Sequence, residues 1–251
     1  KAGFPATLGY SIWALTMIPC SLVALHFIDW KLEHDIRSIL LGSLAGLLGA
    51  GGQLILFQAL REGPAYIVFP LISLFPILTI VLSVLFLKET VSIKHWIGIG
   101  VALIAILLLS YKPATGNETP GFGWLFLAVL VFVLWGLQAY VMKFSTNVMR
   151  AESIFFYMML TAILLIPIAI VMTDFSSVIN TGFKGPYLAG IIHILNSIGA
   201  LTLVYALRYG KAMVVVPITG LSPLITVVLS LLLYGVIPDS ILTLGVVMAM
   251  I

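Results

Sequence analysis

The chain has 251 residues, of which 62% are hydrophobic and 8% are charged, and its formal net charge is +3. An ordinary soluble domain carries about 25% charged residues, so this composition excludes a soluble surface and predicts an integral membrane protein. The 12 lysine and arginine residues are dispersed singly along the chain, which argues against a nucleic-acid-binding patch.

Nine apolar runs follow one another along the chain, separated by short polar segments. All are too long and too uniformly apolar for membrane strands, so they predict transmembrane helices. The last run is shorter than the roughly 20 residues of a membrane span, and we expect a truncated final helix. The runs are Thr7–Ile28, Ile36–Leu60, Ala65–Leu87, Ile93–Tyr111, Gly121–Met142, Ser153–Met172, Gly185–Leu207, Met213–Tyr234 and Ile241–Ile251.

The sequence repeats itself at an offset of 147 residues. Residues 57–104 align with 204–251 without a gap and give 17 identities in 48 positions, with Arg61 on Arg208. Leucine-rich composition raises chance identity, but it does not align arginine, glycine and proline. The offset spans five helices, an odd number, so the two copies should lie in opposite orientations. Inverted repeats are typical of secondary transporters, whose halves exchange conformations to alternate access.

This repeat predicts a ten-helix bundle of two inverted five-helix copies, at 1–111 and 121–251, with the opening helix of the first copy absent. Basic residues then fall eight to four on alternate sides, which places the richer side in the cytoplasm. We therefore expect a protein of the bacterial inner (plasma) membrane with both termini cytoplasmic. The eight are Lys31, Arg37, Lys88, Lys94, Lys143, Arg150, Arg208 and Lys211, and the four are Lys1, Arg61, Lys112 and Lys184.

Short motifs in both copies resemble a known repeat. Trp135-Gly136, followed by Lys143 in the same run, is similar to the opening of an EamA-type repeat of the drug/metabolite transporter superfamily. The resemblance implies a ten-helix permease with a central cavity that moves metabolites, amino acids, nucleotide derivatives or drugs without a cofactor. The second copy has Gly235-Val236 in place of Lys88-Glu89, so the charged loop is not duplicated. The rest of the repeat is matched by Gly51-Gly52-Gln53, Ala59-Leu60, Gly63, Ala65, Pro70, Pro76, Leu87-Lys88-Glu89 and Gly98.

Polar side chains inside the apolar runs are the first candidates for substrate contacts, because an unpaired polar group at membrane depth costs free energy. Gln53 lies in the middle of its run. His193 and Asn196 share one helical face at the nearly corresponding position of the second copy. Substrate hydrogen bonding, with protonation of His193, is the functional interpretation. Hydrogen bonds between helices are the alternative.

Trp135, Gln138 and Tyr140 are candidates for an aromatic cavity wall, with core filling as the alternative. Snorkelling to the membrane surface is sufficient to explain Lys143. The other tryptophans are assigned no chemistry and include interfacial anchors; they are Trp13, Trp30, Trp96 and Trp124.

Duplicated prolines and glycines are candidate hinges, because proline interrupts backbone hydrogen bonding and lets a helix bend. Static kinks that shape the bundle are the alternative. The candidates are Gly63, Pro70 and Pro76 in the first copy and Gly210, Pro217 and Pro223 in the second.

The predicted function is secondary transport of a small organic solute by alternating access through a central cavity. A membrane-embedded enzyme and a non-transporting scaffold subunit are the alternatives. The acidic residues lie mostly in loops and no H-E-x-x-H motif is present, so we expect no enzyme, no metal and no cofactor. The expected partners are a small-molecule substrate and the lipid bilayer, and no nucleic acid. The sequence leaves open whether the protein forms a homodimer and which ion, if any, is coupled to transport.

Overall fold

The computed structural model describes residues 3–110, 123–176, 178–222, 224, 225, 229 and 240–249. Regular structure in these ranges is helical throughout, without a strand. Six helical stretches are long and apolar enough to cross a membrane. Their length and composition confirm the prediction of an all-α integral membrane protein. Two shorter apolar helices, Ile93–Leu109 and Ser240–Ala249, also lie within the described part of the chain.

The helices follow the predicted runs closely, except that two of the runs are each divided into two helices and the helix of a third run, Met213–Tyr234, ends just before Leu221. Much of the run Met213–Tyr234 lies outside the described residues. In chain order the helices are α1 Ala6–Phe27, α2 Ile36–Glu62, α3 Ala65–Ser73, α4 Phe75–Phe86, α5 Ile93–Ser110, α6 Gly123–Ser145, α7 Ala151–Leu164, α8 Ile166–Val171, α9 Leu188–Tyr209, α10 Ala212–Gly220 and α11 Ser240–Ala249, with a π-helical turn at Phe183–Tyr187 before α9.

The two divided runs break where a proline takes the second position of the following helix. Pro76 is the second residue of α4 and Pro167 is the second residue of α8. Proline lacks an N–H and its ring clashes with the carbonyl four residues earlier, so it fits the first turn of a helix but interrupts a helix that would continue through it. Leu74 and Leu165 are the single residues between the paired helices.

The backbone around the first of these breaks recurs 147 residues later. Leu74 has φ −80° and ψ 0°, and Leu221 has φ −79° and ψ 5°. Each donates its N–H to the carbonyl three residues earlier and accepts from the N–H three residues later. The preceding N-caps match too, since Pro64 and Lys211 are both extended and accept from N–H groups three and four residues on. Aligned residues of the sequence repeat therefore form the same helix boundaries.

The chain divides into two compact units, and each contains segments from both halves of the sequence. The first unit comprises residues 1–57 and 141–209, and the second comprises residues 58–140 and 210–251. Helices α2 and α6 contribute to both units. The compact units are therefore not the two copies of the sequence repeat.

Within the first unit, α1 packs against α7, α8 and α9. Glycines let α2 approach α7 closely. A Cβ atom added to Gly42 would lie 2.7 Å from the Cβ of Tyr157, and one added to Gly46 would lie 2.8 Å from the Cα of Met158. Small residues at helix contacts are typical of membrane proteins, where close backbone approach replaces the hydrophobic effect as a driving force.

Polar contacts tie α9 to two other helices of the first unit. The hydroxyl groups of Thr16 in α1 and Ser197 in α9 are 3.1 Å apart. The Nζ of Lys143 in α6 donates to the carbonyl of Leu207 at 2.8 Å, and this carbonyl belongs to the last turn of α9, where carbonyls lack helical partners. The lysine of the Trp-Gly…Lys motif thus connects two helices, a role that snorkelling alone does not describe.

A polar cluster joins the α1–α2 loop to the start of α7. One carboxylate oxygen of Glu33 lies 3.3 Å from Nε of Arg150, and the other accepts a hydrogen bond from the hydroxyl of Ser153. The backbone carbonyl of Glu33 accepts from the hydroxyl of Tyr157 at 2.6 Å. Three side chains of α7 and its N-cap therefore hold one loop residue.

Asp35 caps the N-terminus of α2. Its carboxylate accepts a hydrogen bond from the hydroxyl of Ser38 at 2.7 Å and from the backbone N–H of Ser38 at 3.1 Å. Since hydrogen bonds to the charged form favour it, these two contacts lower the pKa of Asp35 from its ordinary value.

Within the second unit, two glycines allow close contacts with α6. A Cβ added to Gly136 would lie 2.8 Å from the Cβ of Leu78 in α4, and the carbonyl of Gly136 accepts from the hydroxyl of Thr79 at 2.9 Å. A Cβ added to Gly63 would lie 2.6 Å from Cγ of Trp124. Trp124 is only 7% exposed, so its side chain fills this contact.

The α4–α5 loop caps helix α10 in the second unit. The two carboxylate oxygens of Glu89 accept from the backbone N–H groups of Ala212 at 3.1 Å and Met213 at 3.2 Å. These are the first two residues of α10, whose N–H groups have no partner within the helix. The negative charge also faces the positive end of the helix dipole. The charged loop that the second copy lacks therefore has a capping role.

Candidate functional site

A cavity of about 480 Å³ lies within the first unit. Its walls come from the start of α1, the second half of α2, and the π-helical turn with the first half of α9, so both halves of the sequence contribute. The described residues that line it are Phe4, Pro5, Ala6, Gly9, Tyr10, Trp13, Gln53, Phe57, Lys184, Gly185, Leu188, Ala189, Ile192, His193 and Asn196.

Three polar residues predicted from the sequence line this cavity together. Gln53 projects from α2, while His193 and Asn196 lie three residues apart on α9. The imidazole approaches α1 closely, since a Cβ added to Gly9 would lie 3.5 Å from Nε2 of His193. Within the described residues, none of these three side chains makes a hydrogen bond to another helix, so their polar atoms are available to a solute.

Four aromatic side chains provide an apolar wall. The ring of Tyr10 meets that of Trp13 edge-on, with centroids 5.4 Å apart. The hydroxyl of Tyr10 is occupied, because it donates to the carbonyl of Ala162 at 3.0 Å, so Tyr10 presents its ring to the cavity rather than a donor. Sequence reasoning assigned Trp13 no chemistry. The helical spacing of Ala6, Gly9, Tyr10 and Trp13 was the available signal. The aromatic residues are Phe4, Tyr10, Trp13 and Phe57.

Lys184 brings a basic side chain to the cavity. It lies in the π-helical turn before α9, and sequence reasoning treated it only as a charge that orients the chain in the membrane. The next residue, Gly185, must be glycine in this turn, since a Cβ there would lie 1.9 Å from the carbonyl oxygen of Asn180. The backbone N–H of Asn180 in turn donates to the carbonyl of Gly3 at 2.8 Å. This arrangement fixes the backbone that carries Lys184.

The predicted aromatic wall on α6 lies in the second unit. Trp135 packs edge-on against Phe75 with ring centroids 6.0 Å apart, and Tyr140 packs against Phe86 at 6.1 Å. Gln138 is half-buried on the same helix. None of Trp135, Gln138 and Tyr140 is among the described residues that line the first-unit cavity.

A second cavity of about 400 Å³ lies within the second unit, between α5, α10 and α11. Its polar lining residues, Lys94 and His95, are adjacent at the start of α5, and the others are aliphatic, methionine, proline or glycine. It contains Pro217 but none of the predicted substrate contacts. The first-unit cavity is therefore the better candidate, because its polar and aromatic groups come from several helices and converge on one space.

The hinge candidates fall into different structural situations. Pro70 and Pro217 lie inside α3 and α10, whereas the chain breaks at Leu74 and Leu221. Pro76 starts the helix after the first break, and Pro223 lies outside the described residues. Gly210 directly follows α9, and Gly63 is packed against Trp124.

A model of the EamA-like transporter family matches residues 5–111 and 122–251. The chain belongs to the EamA-like transporter family. The match confirms the resemblance drawn from the Trp-Gly…Lys, glycine and proline motifs. Six apolar helices of spanning length lie in the described part of the chain, and this EamA-like chain is an integral membrane protein.

The EamA-like chain is also similar to parts of three curated proteins. It is 42% identical over 76 residues to an uncharacterised protein of Methanocaldococcus jannaschii, over 30% of this chain and 56% of that protein. It is 32% identical over 81 residues to a probable 4-amino-4-deoxy-L-arabinose-phosphoundecaprenol flippase subunit ArnE of Hamiltonella defensa, over 32% of this chain and 73% of that protein. The ArnE of Proteus mirabilis is 34% identical over 61 residues, over 24% of this chain and 54% of that protein. The alignments with this chain thus cover between about half and three quarters of the length of each relative.

A crystal structure of a protein with 16% sequence identity matches the EamA-like chain with a TM-score of 0.75. The match covers 97% of this chain and 84% of the other. At this level of identity the likeness concerns the fold alone. Within the described part of the chain, no group of three or more His, Cys, Asp or Glu residues could hold a metal ion.

Proposed function

We propose that this EamA-like chain is a secondary transporter that moves a small organic solute, such as a metabolite, an amino acid or a drug-like compound, by alternating access. The observation that carries the proposal is the first-unit cavity, in which Gln53, His193 and Asn196 line one space with an aromatic wall. Polar groups left without a helical partner at membrane depth are costly. A solute or water that bonds to them offsets this cost, which favours a binding role.

The proposed architecture is the ten-helix bundle of two inverted five-helix copies, at 1–111 and 121–251, in the bacterial inner membrane with both termini cytoplasmic. The matched backbone at Leu74 and Leu221 supports a duplicated unit. Cysteine labelling tests the inversion, because the chain has one cysteine, Cys20, and it is buried. Arg61→Cys and Arg208→Cys should react with a membrane-impermeant maleimide from opposite sides of intact vesicles. Labelling of both from one side would contradict the inversion.

Hinge motion at the helix breaks is part of the proposal. Leu74 and Leu221 have the same backbone geometry in the two copies. We propose that the prolines and glycines near them in the sequence let equivalent helices bend as the cavity opens to one side of the membrane and then the other. These residues are Gly63, Pro70, Pro76, Gly210, Pro217 and Pro223. Static kinks that only shape the bundle are the competing explanation.

Reconstitution into vesicles tests the transport proposal. The purified chain should take up at least one member of a panel of radiolabelled amino acids, nucleosides and organic drugs, tested at two pH values. Gln53→Ala and Asn196→Ala should reduce that uptake, while Gln58→Ala, on the same helix as Gln53 but outside the lining of this cavity, should not. Uptake that is unchanged in both cavity variants would contradict the assignment of this site. Uptake unaffected by His193→Ala would remove His193 as a proton-coupling group.

A second candidate function is that of a flippase subunit. It is favoured by the names of the two ArnE relatives, although each alignment uses a third or less of this chain. In this case the chain would need a partner subunit and a lipid-linked solute. Vesicles that contain the chain alone should then show no uptake of the soluble panel, and a polyprenyl-phosphate sugar should cross the bilayer only when a partner is supplied.

A further inference from the structure

Among the described residues that line the first-unit cavity, one side chain is charged, and it is basic. This residue is Lys184, and no aspartate or glutamate is found among the same lining residues. Gln53, Asn196 and His193 add hydrogen-bond donors on the side chains. An ammonium group on a solute would meet a lysine there and no carboxylate.

We propose that the cavity takes an organic anion, with a carboxylate or phosphate at the Lys184 end and an apolar, ring-sized body against Tyr10, Trp13 and Phe57. This inference rests on the proposed function, because it names the class of solute for the same site. Lys184 is exposed, so its attraction for an anion is screened by salt and is strongest at low ionic strength. A cation of the same shape is repelled by the same charge.

The geometry of α9 suits such a solute. Lys184 precedes the helix, and the lining residues Leu188, His193 and Asn196 continue along one side of it. From Leu188 to Asn196 the helix rises by about 12 Å. A charged head at the lysine therefore leaves room for a ring between the aromatic wall and the amide of Asn196.

Four probes that share a benzene ring and differ in charge test this inference. They are phenylacetate, phenyl phosphate, phenylacetamide and phenethylamine. A ligand that binds only the folded protein raises its unfolding temperature, so half-maximal stabilisation of the purified chain gives an apparent affinity for each probe. Both anions should bind more tightly than phenethylamine, by about tenfold, at low ionic strength. The ratio of phenyl phosphate to phenylacetate then distinguishes the two kinds of head group.

Substitution of the lysine should change this preference. Lys184→Gln should weaken binding of the anions by about threefold to tenfold and leave phenylacetamide unchanged. Lys184→Glu should bring phenethylamine ahead of phenylacetate. The matched control is Lys31→Gln, which removes the same charge from an exposed loop of the same unit and should leave every affinity unchanged.

Two results would overturn the inference: equal binding of phenethylamine and phenylacetate, or the same loss of anion binding in Lys31→Gln as in Lys184→Gln. Failure of the transport proposal is distinguishable. Uptake of radiolabelled phenylacetamide without any preference for anions would leave transport standing and remove the anion site. Tight anion binding that depends on Lys184, with no uptake of any probe, would keep the site and remove transport.

Discussion

Two glycines of α2 should respond in opposite ways to the same substitution. A Cβ on Gly46 would lie 2.8 Å from both the Cα of Met158 and the Cβ of Thr161, whereas a Cβ on Gly51 would meet nothing within 4 Å. Alanine favours a helix interior over glycine by up to about 1 kcal/mol. Overpacking of a well-packed contact costs about 1–3 kcal/mol. Gly51→Ala should therefore stabilise the protein slightly, and Gly46→Ala should destabilise it by about 1–2 kcal/mol.

Thermal unfolding of the detergent-purified variants, followed by tryptophan fluorescence, measures this difference. A gap of about 2 kcal/mol corresponds to unfolding temperatures roughly 4–8 °C apart for a chain of this size. Adding Thr161→Ala to Gly46→Ala should recover only part of the loss, because it removes the hydroxyl that also lies 2.8 Å away but keeps the Cβ of residue 161 and the backbone contact with Met158. Equal shifts for Gly46→Ala and Gly51→Ala would refute the close approach of α2 to α7.

Three further predictions follow from contacts in each unit. Asp35→Asn should make the unfolding temperature less sensitive to acid. The pKa of Asp35 is lowered in the folded protein, so its carboxylate stabilises the fold above the unfolded-state pKa, and this stabilisation is lost as the pH falls through the folded-state pKa. Between about pH 5 and pH 3 the unfolding temperature of the wild type should therefore fall more than that of the variant. A parallel decline in both proteins would argue against the Asp35 cap. Tyr157→Phe should cost about 1 kcal/mol of unfolding free energy, because it deletes the hydrogen bond to Glu33 but keeps the ring against Gly42. Arg150→Gln should cost less, about 0.5 kcal/mol, because its ion pair with Glu33 is partly exposed to solvent. The reverse order in chemical unfolding would contradict the cluster as described. Pro76→Ala should slow uptake more than it lowers the yield of folded protein, while Pro70→Ala, inside an uninterrupted helix, should slow uptake less. Equal loss of uptake and yield in the Pro76 variant would favour a static kink.

Apolar length predicted the helices, and motif order predicted the family. Both are local signals that each stretch of sequence carries by itself. The division of Ala65–Leu87 at Leu74 was less accessible, since the run contains two prolines and only one of them, Pro76, coincides with a new helix start. Membrane helices tolerate proline where neighbouring groups satisfy the freed carbonyl, and this depends on tertiary contacts.

The candidate site was predictable in its polar part. Gln53, His193 and Asn196 were selected because polar residues are rare in the apolar runs and occupy nearly corresponding positions in the two copies. Lys184 and Trp13 were not predicted as site residues, because a lysine beside an apolar run and a tryptophan near the end of one also fit positions at the membrane interface. Only the turn at Gly185 and the packing of α1 bring them to the same cavity. The Trp135-Gly136 motif in α6 indicated the family, but a family motif does not say in which compact unit of the fold a residue lies.

The carboxylate that caps α10 makes the two copies energetically unequal. The position aligned with Glu89 is Val236, and an aliphatic side chain accepts no hydrogen bond. If the copies exchange conformations during transport, one of the two exchanged states lacks this cap. A cap worth about 1 kcal/mol corresponds to about a fivefold difference in population. Without solute, the carrier would then spend most of its time in one conformation, with its cavity open to one side of the membrane. The preferred side would be set by Glu89, which has no counterpart in the second copy, rather than by the solute.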